Sequence, residues 1–393
     1  MPEAVHVIGA GLAGVEAAYR LVRCGVGVQL SEMRPVRMTP AHTTDKLAEL
    51  VCSNSLKGTD PLTAHGLLKK ELIQLDSLVL QSAFATRVPA GKALAVDRDA
   101  FAARITSTIA AHERIRITRQ EVTRIDLSVP TIIATGPLTS ESLCTEIIRL
   151  TSRDSLSFYD AISPIIDSQS IDYDKAFFGS RWAPDDTDYL NCPLDQDEYS
   201  AFVNALLEAD TVVPHAFEDA RFFEGCLPIE IMARRGPDSL RFGPMRPVGL
   251  TDPHTARRPH AVVQLRRENL KGDAYNIVGF QTRLTQGEQL KVLRLIPALA
   301  GAQILRYGSI HRNTFINAPR LLAPDLSLKS HRNIVLAGQL AGVEGYMESA
   351  AMGIMAAYSI LAHLRGKPFL PPPPETAVGA LIHHITNAAV RDF

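Results

Sequence analysis

The stretch "VHVIGAGLAGVEAAYRL" (5–21) restricts the fold more than any other part of the chain. An apolar run stops at Gly9, and Gly9, Gly11 and Gly14 follow in the GxGxxG spacing. Apolar positions then recur at helical period before a second apolar run, "VGVQLSE", closes on Glu32. The pattern predicts a strand, a tight turn, a helix and a parallel strand. Glycines allow the turn and let the backbone of Gly9, Ala10, Gly11, Leu12, Ala13 and Gly14 approach a pyrophosphate, whose charge meets the N–H groups and dipole of the helix start. Glu32 lies 21 residues after Gly11, where a carboxylate reaches a ribose hydroxyl. Dinucleotide binding is the function this stretch implies.

Two later stretches belong to the same layer. "TIIATGP" (131–137) reads as a buried strand ending at glycine, and "NIVLAG" (333–338) runs through "QLAGVEG" into "YMESAAMGIMAAYSILAHLRG", a helix stopped by Gly366 and Pro368. This final element, with Gly338 and Gly345, resembles the one that closes over the ribityl and pyrophosphate of FAD in glutathione-reductase-like flavoproteins, with Gln339 where an acid is usual. The fold class expected is α/β. A glutathione-reductase-like FAD-binding Rossmann domain would comprise 1–160 and 310–393, and a smaller α/β domain at 161–309 would be inserted into it. "PPPP" (371–374) reads as a short extended linker.

Composition excludes several classes. With 46% hydrophobic and 21% charged residues, the 393-residue chain has the balance of a folded globular protein rather than a disordered one. Its five cysteines (Cys24, Cys52, Cys144, Cys192, Cys226) are odd in number and widely spaced, which argues against a disulfide framework and a structural metal. "MPEAVHVIGAG" lacks the basic start of a signal peptide, and no window supplies the ~20 apolar residues of a membrane span. A reducing, cytoplasmic setting is expected. Net charge is -1, yet Asp185 to Glu230 holds twelve acids and one basic residue, whereas Arg234 to Lys271 holds nine Lys/Arg and three acids. The basic block would serve either as a footprint for a polyanion or as a solvated face pairing with the acidic one.

Longer stretches carry a more specific resemblance. "EMRPVRMTPAHTTDKLAELVCSNSLK", "RVPAGKALAVDRDAFA", "YLNCP", "FFEGCLPIE", "RFGPMRPVGL", "RYGSIHRNTFINAP" and "AGQLAGVEGYMESAAMG", among others from near residue 5 to near 387, resemble the folate- and FAD-dependent tRNA (uracil-5-)-methyltransferases. The resemblance implies transfer of a one-carbon unit from 5,10-methylenetetrahydrofolate, by way of reduced FAD, to C5 of the T-loop uridine of tRNA, with NADH or NADPH as reductant. It implies two catalytic cysteines, Cys226 as the nucleophile on uracil C6 and Cys52 as the base at C5, or the reverse. Thiolates suit both roles at neutral pH. It further implies that Tyr346 shields the flavin region, that His311 stacks on the folate pterin, and that Arg312 and Asn313 contact pterin or phosphate. Arg234 to Lys271 becomes the expected surface for tRNA phosphates, on a monomer or homodimer. Cys24 and Cys144 are expected only to pack, and Cys192 has no implied chemistry. The same core would serve a ribosomal-RNA enzyme, and a flavin oxidoreductase without RNA chemistry is the alternative from another class. A larger wobble-uridine relative would need a further C-terminal helical domain.

Overall fold

A computed structural model of the protein describes residues 4–151, 156–181, 186–212, 227–387 and 389, with backbone alone at 156–160, 311 and 312. Cys226 lies outside the described residues. Among them, Ala4–Ile8 (β1), Gly27–Glu32 (β2), Ile115–Arg119 (β6), Thr131–Ile133 (β7) and Ile334–Leu336 (β16) form a parallel sheet in the order β16-β7-β1-β2-β6. Val5, Val7, Leu30, Ile132, Ile133 and Leu336 are fully shielded from solvent, as strands covered on both faces require.

Helices Leu12–Arg23 (α1) and Tyr346–Leu364 (α11) pack tightly on this sheet. Their close approach depends on a missing side chain: a Cβ at Gly353 would run into the Ala13 carbonyl. Helices Ala64–Gln74 (α2), Leu78–Ala85 (α3) and Arg98–Ala110 (α4) extend the same core, and a three-stranded sheet of Ser55–Gly58 (β3), Arg87–Val88 (β4) and Ala93–Val96 (β5) lies beside them. Helix Glu141–Thr151 (α5) follows β7.

A second core is built on a six-stranded sheet, ordered Phe177–Phe178 (β10), Tyr189–Leu194 (β11), Ala261–Arg267 (β12), Ala274–Ile277 (β13), Ile165–Asp167 (β9) and Ile304–Arg306 (β14), with every pairing antiparallel. Leu190, Leu265 and Ile277 on one face pack with helices Gln196–Glu208 (α6), Ile229–Ala233 (α7), Ser239–Phe242 (α8) and Gln286–Leu293 (α9). The alternate positions Tyr189, Asn191, Gln264 and Arg266 project to the opposite face, as strand periodicity dictates. Arg266 there meets the loop that carries Cys52. A two-stranded ribbon, Leu156–Ala161 (β8) with Ile310–Phe315 (β15), leads the chain into this body and out again.

The chain ends on a short helix Ala318–Leu321 (α10), then β16 and α11, and a last helix Ala377–Thr386 (α12). Glu71 of α2 accepts the N–H groups of Ala377 and Val378 at 2.9 Å each, fastening the start of α12. Among the described residues no helix is long and apolar enough to cross a membrane.

Candidate active site

The site begins with backbone amides. Gly9 takes φ +94°, a conformation that L side chains rarely adopt, and a Cβ at Gly14 would strike the Gly9 carbonyl, so both glycines are required for the turn into α1. The helix starts at Gly11 with no capping side chain, which leaves its first amides facing the turn. Beside them opens a cleft walled by Gly9 to Ala13, the end of β2, Ala134 to Ser140, and Gly338 and Gln339.

Expected cofactor residues fall into place unevenly. Gly9, Ala10, Gly11, Leu12, Ala13, Glu32, Gly338 and Tyr346 line the cleft. Gly14 instead makes room for the Gly9 carbonyl against the first turn of α1, and Gly345, at φ +109°, forms the entry to α11. His311 sits on β15 opposite Asp160 in register, and its side chain lies outside the described residues.

Glu32 is held in place before any ligand arrives. One oxygen accepts the Ala10 N–H at 3.1 Å, and the other accepts the Arg34 backbone N–H and the Arg34 Nε at 3.1 and 2.9 Å. Burial opposes its ionisation, but the Arg34 guanidinium and these N–H groups outweigh it and hold the carboxyl below its usual range. Arg34, only 2% exposed, also pairs with Glu49 at 3.1 Å, and Glu49 accepts the N–H and hydroxyl groups of Thr43 and Thr44. Two carboxylates thus share one buried guanidinium, and the segment between β2 and Cys52 folds around it. His42, on the same segment, lines the cleft with Nδ1 2.6 Å from the Thr39 hydroxyl. Burial and the neighbouring Arg34 lower it to about 4, so it is neutral at physiological pH.

Cys52 follows directly where Val51 and Tyr346 close the cleft. Its backbone N–H donates to the Tyr346 hydroxyl at 2.9 Å, and the thiol lies 3.9 Å from the Ala161 carbonyl, at the join of the two cores. Three arginines fix this loop. Arg98 donates to the Leu50 and Cys52 carbonyls at 2.6 and 2.7 Å while pairing with Glu268 of the second body. Arg266 reaches the Asn54 side chain at 2.9 Å and the Ser53 hydroxyl at 2.8 Å, and Arg306 donates to the Ala41 and Val51 carbonyls at 2.9 and 3.3 Å. A half-buried thiol is thereby held rigidly beside the cleft. The other described cysteines differ. Burial pushes the Cys192 thiol up to about 12, which leaves it inert, Cys24 caps α1, and the Cys144 thiol on α5 faces the Thr139 carbonyl.

Arg34, His42, Glu49, Arg98 and Arg306 lie in stretches that carry the family resemblance, but sequence reasoning singled out none of them. Arg266 counted only as part of a basic surface, and the structure turns it inward. The side chains it bonds, Asn54 and Ser53, are 212 and 213 residues away, so only the folded chain reveals it.

The arrangement fits FAD: uncapped amides at the Gly9–Gly14 turn and a carboxylate at the end of β2 line one cleft. Among the described residues no His/Cys/Asp/Glu cluster could hold a metal ion.

Fold and site together define a two-body dinucleotide-binding protein, and comparison with known proteins agrees. Residues 4–368 match the family model of glucose inhibited division protein A. Solved structures of Aquifex aeolicus GidA superpose with TM-scores of 0.75 and 0.73 at 18% identity, over 98% of this chain and 67% and 69% of theirs, a likeness of fold. At much higher identity stand proteins named methylenetetrahydrofolate--tRNA-(uracil-5-)-methyltransferase TrmFO. That of Moorella thermoacetica is 54% identical over all of this chain and 90% of its own length, and those of Koribacter versatilis and Anaeromyxobacter sp. are 53% and 55% identical over 88% and 86% of theirs. The chain belongs to the TrmFO family.

Proposed function

We propose that this protein methylates C5 of the T-loop uridine in tRNA, taking the carbon from methylenetetrahydrofolate and using NADH or NADPH as reductant. The observation that carries the reading is Cys52, a thiol fastened at the end of a dinucleotide cleft by Tyr346 and Arg98. Uracil C5 is a weak nucleophile. Addition of one thiolate to C6 pushes the electron pair to C5 as an enolate, which can then accept the one-carbon unit. A second base removes the C5 proton, and departure of the first thiolate restores the ring double bond.

We assign Cys226 to the addition and Cys52 to the proton. The rigid loop supports that choice for Cys52, since a base must meet one C–H bond at a defined angle. FAD, held by the Gly9–Gly14 turn, Glu32 and Gly338, would supply the carbon relay and the hydride that turns methylene into methyl. Tyr346, which lines the cleft, would shield the flavin region, and His311 would stack on the folate pterin, as the family resemblance implies. Neutral His42 adds no charge beside the cofactor.

The test is incubation of the flavin-loaded protein with NADPH, methylenetetrahydrofolate and separate unmodified tRNA and ribosomal-RNA transcripts, with 5-methyluridine read by mass spectrometry. Product in the tRNA alone is expected. Product in the ribosomal transcript alone would change the substrate, and no product from either, with the flavin reducible, would leave an oxidoreductase.

A further inference from the structure

We propose that the turn formed by α7 and α8 is a docking surface for tRNA, with the Phe242 ring as a stacking platform for an unpaired base. The inference rests on the tRNA reading and extends it to a place well away from the thiol. Phe242 is 77% exposed at the end of α8, yet the backbone beneath it is immobilised. Leu240 and Met245, on either side, are wholly buried, Val262 of β12 donates its N–H to the Met245 carbonyl at 3.0 Å, and Arg241 Nε donates to the His260 carbonyl at 2.9 Å. Such a large apolar ring in water on a rigid base contributes nothing to the core and is shaped for a flat partner.

Its surroundings name that partner. Between Pro228 and His260 stand six arginines, Arg234, Arg235, Arg241, Arg246, Arg257 and Arg258, and all but Arg241 are exposed. The three acids of the segment are engaged elsewhere. Glu230 is buried and accepts from Thr282 and Arg283, Asp252 is buried and accepts the His254 N–H, and Asp238 pairs with Arg241 at 3.2 Å. Across the turn, Asp195 and Glu198 close on each other as the capping box of α6. An exposed aromatic ring on a segment rich in exposed guanidinium groups is a combination suited to stack a base and hold nearby phosphates.

The geometry adds a length. Arg241 contacts the His260 carbonyl just before β12, and Arg266, six residues after His260, contacts the Cys52 loop, so the two ends lie roughly 20 Å apart along an extended strand. RNA seated on Phe242 therefore spans several nucleotides before its target reaches the thiol. The platform gives register to the docked arm.

The test is binding of an unmodified tRNA transcript, by fluorescence anisotropy across a salt series, to the flavin-loaded protein and its Phe242→Ala, Phe242→Tyr and Arg234→Ala/Arg235→Ala variants. Phe242→Ala is expected to weaken binding by about 5- to 100-fold with an unchanged salt slope, and Phe242→Tyr to restore it. The arginine pair is expected to flatten the slope by about one per residue that meets a phosphate. Thermal melts control for folding. Wild-type affinity in Phe242→Ala, beside a wild-type protein that binds tRNA, would overturn the platform and leave the tRNA reading standing. A wild-type protein that binds no tRNA would overturn both. A homodimer that Phe242→Ala dissociates would reassign the ring to self-association and overturn the proposal.

Discussion

Glu16 lies fully buried on α1 and accepts three donors from the start of α3: the Ser77 hydroxyl and the N–H groups of Leu78 and Val79, the last at 2.9 Å. It is a helix cap delivered from another helix. Burial, only partly offset by these bonds and by Arg20, raises the carboxyl to about 7. The sign of the consequence follows from proton counts. Between about 4.5 and 7 the folded protein keeps a proton that the unfolded chain has lost, so stability contributed by this group falls as pH rises through that window and is fully lost above it. The expected loss is on the order of 3 kcal/mol. Urea melts from pH 5 to 8 should show the fall, and Glu16→Gln should flatten it; an identical profile in the variant would place the pH response elsewhere. Of all this the sequence discloses only an acid inside an apolar helix pattern, because the partners are more than 60 residues away.

Elements carry the cofactor site, and here sequence and structure agree most closely. The strand and glycine turn at 4–14, the strand at 131–133 and the long helix α11 all lie where their periodicities predict. What periodicity does not show is how α1 and α11 meet. Small residues recur through α11, but the contact against the Ala13 backbone singles out Gly353. Gly353→Val should push the two helices apart, cost about 2–3 kcal/mol or more, and loosen the turn that begins α1. The check is a thermal melt with flavin absorbance on the purified variant, where a lower midpoint and less retained flavin are expected. A variant with unaltered midpoint and full flavin would mean that α11 shifts without disturbing the turn.

At the scale of the whole molecule, function depends on two bodies meeting at one loop. Arg98 binds the Cys52 carbonyl and Glu268 together, Arg266 and Arg306 reach across from the second sheet, and Tyr189 donates to the Ala90 carbonyl at 3.0 Å. Removal of one member of the buried Arg98–Glu268 pair would strand the other charge. These contacts join residues 46 to 265 positions apart. For that reason the motif around Cys52 was legible while the clamp that positions it was not: a motif is local in the chain, whereas a clamp exists only after the strands have paired. The basic block shows the same limit. Its charge was countable, but alternation along β12 sends Arg266 inward to the loop, whereas Arg234, Arg235, Arg246, Arg257 and Arg258 lie off that strand and are exposed.

The central claim is that two thiols on this chain activate and deprotonate a uridine in tRNA. Its most direct measurement is release of tritium to water from a tRNA transcript labelled at uridine C5, with NADPH and methylenetetrahydrofolate present. The wild-type protein should release tritium in step with methyluridine formation, and Cys226→Ala and Cys52→Ala should each release it at least a hundredfold more slowly. Release at the wild-type rate in either variant would contradict the account.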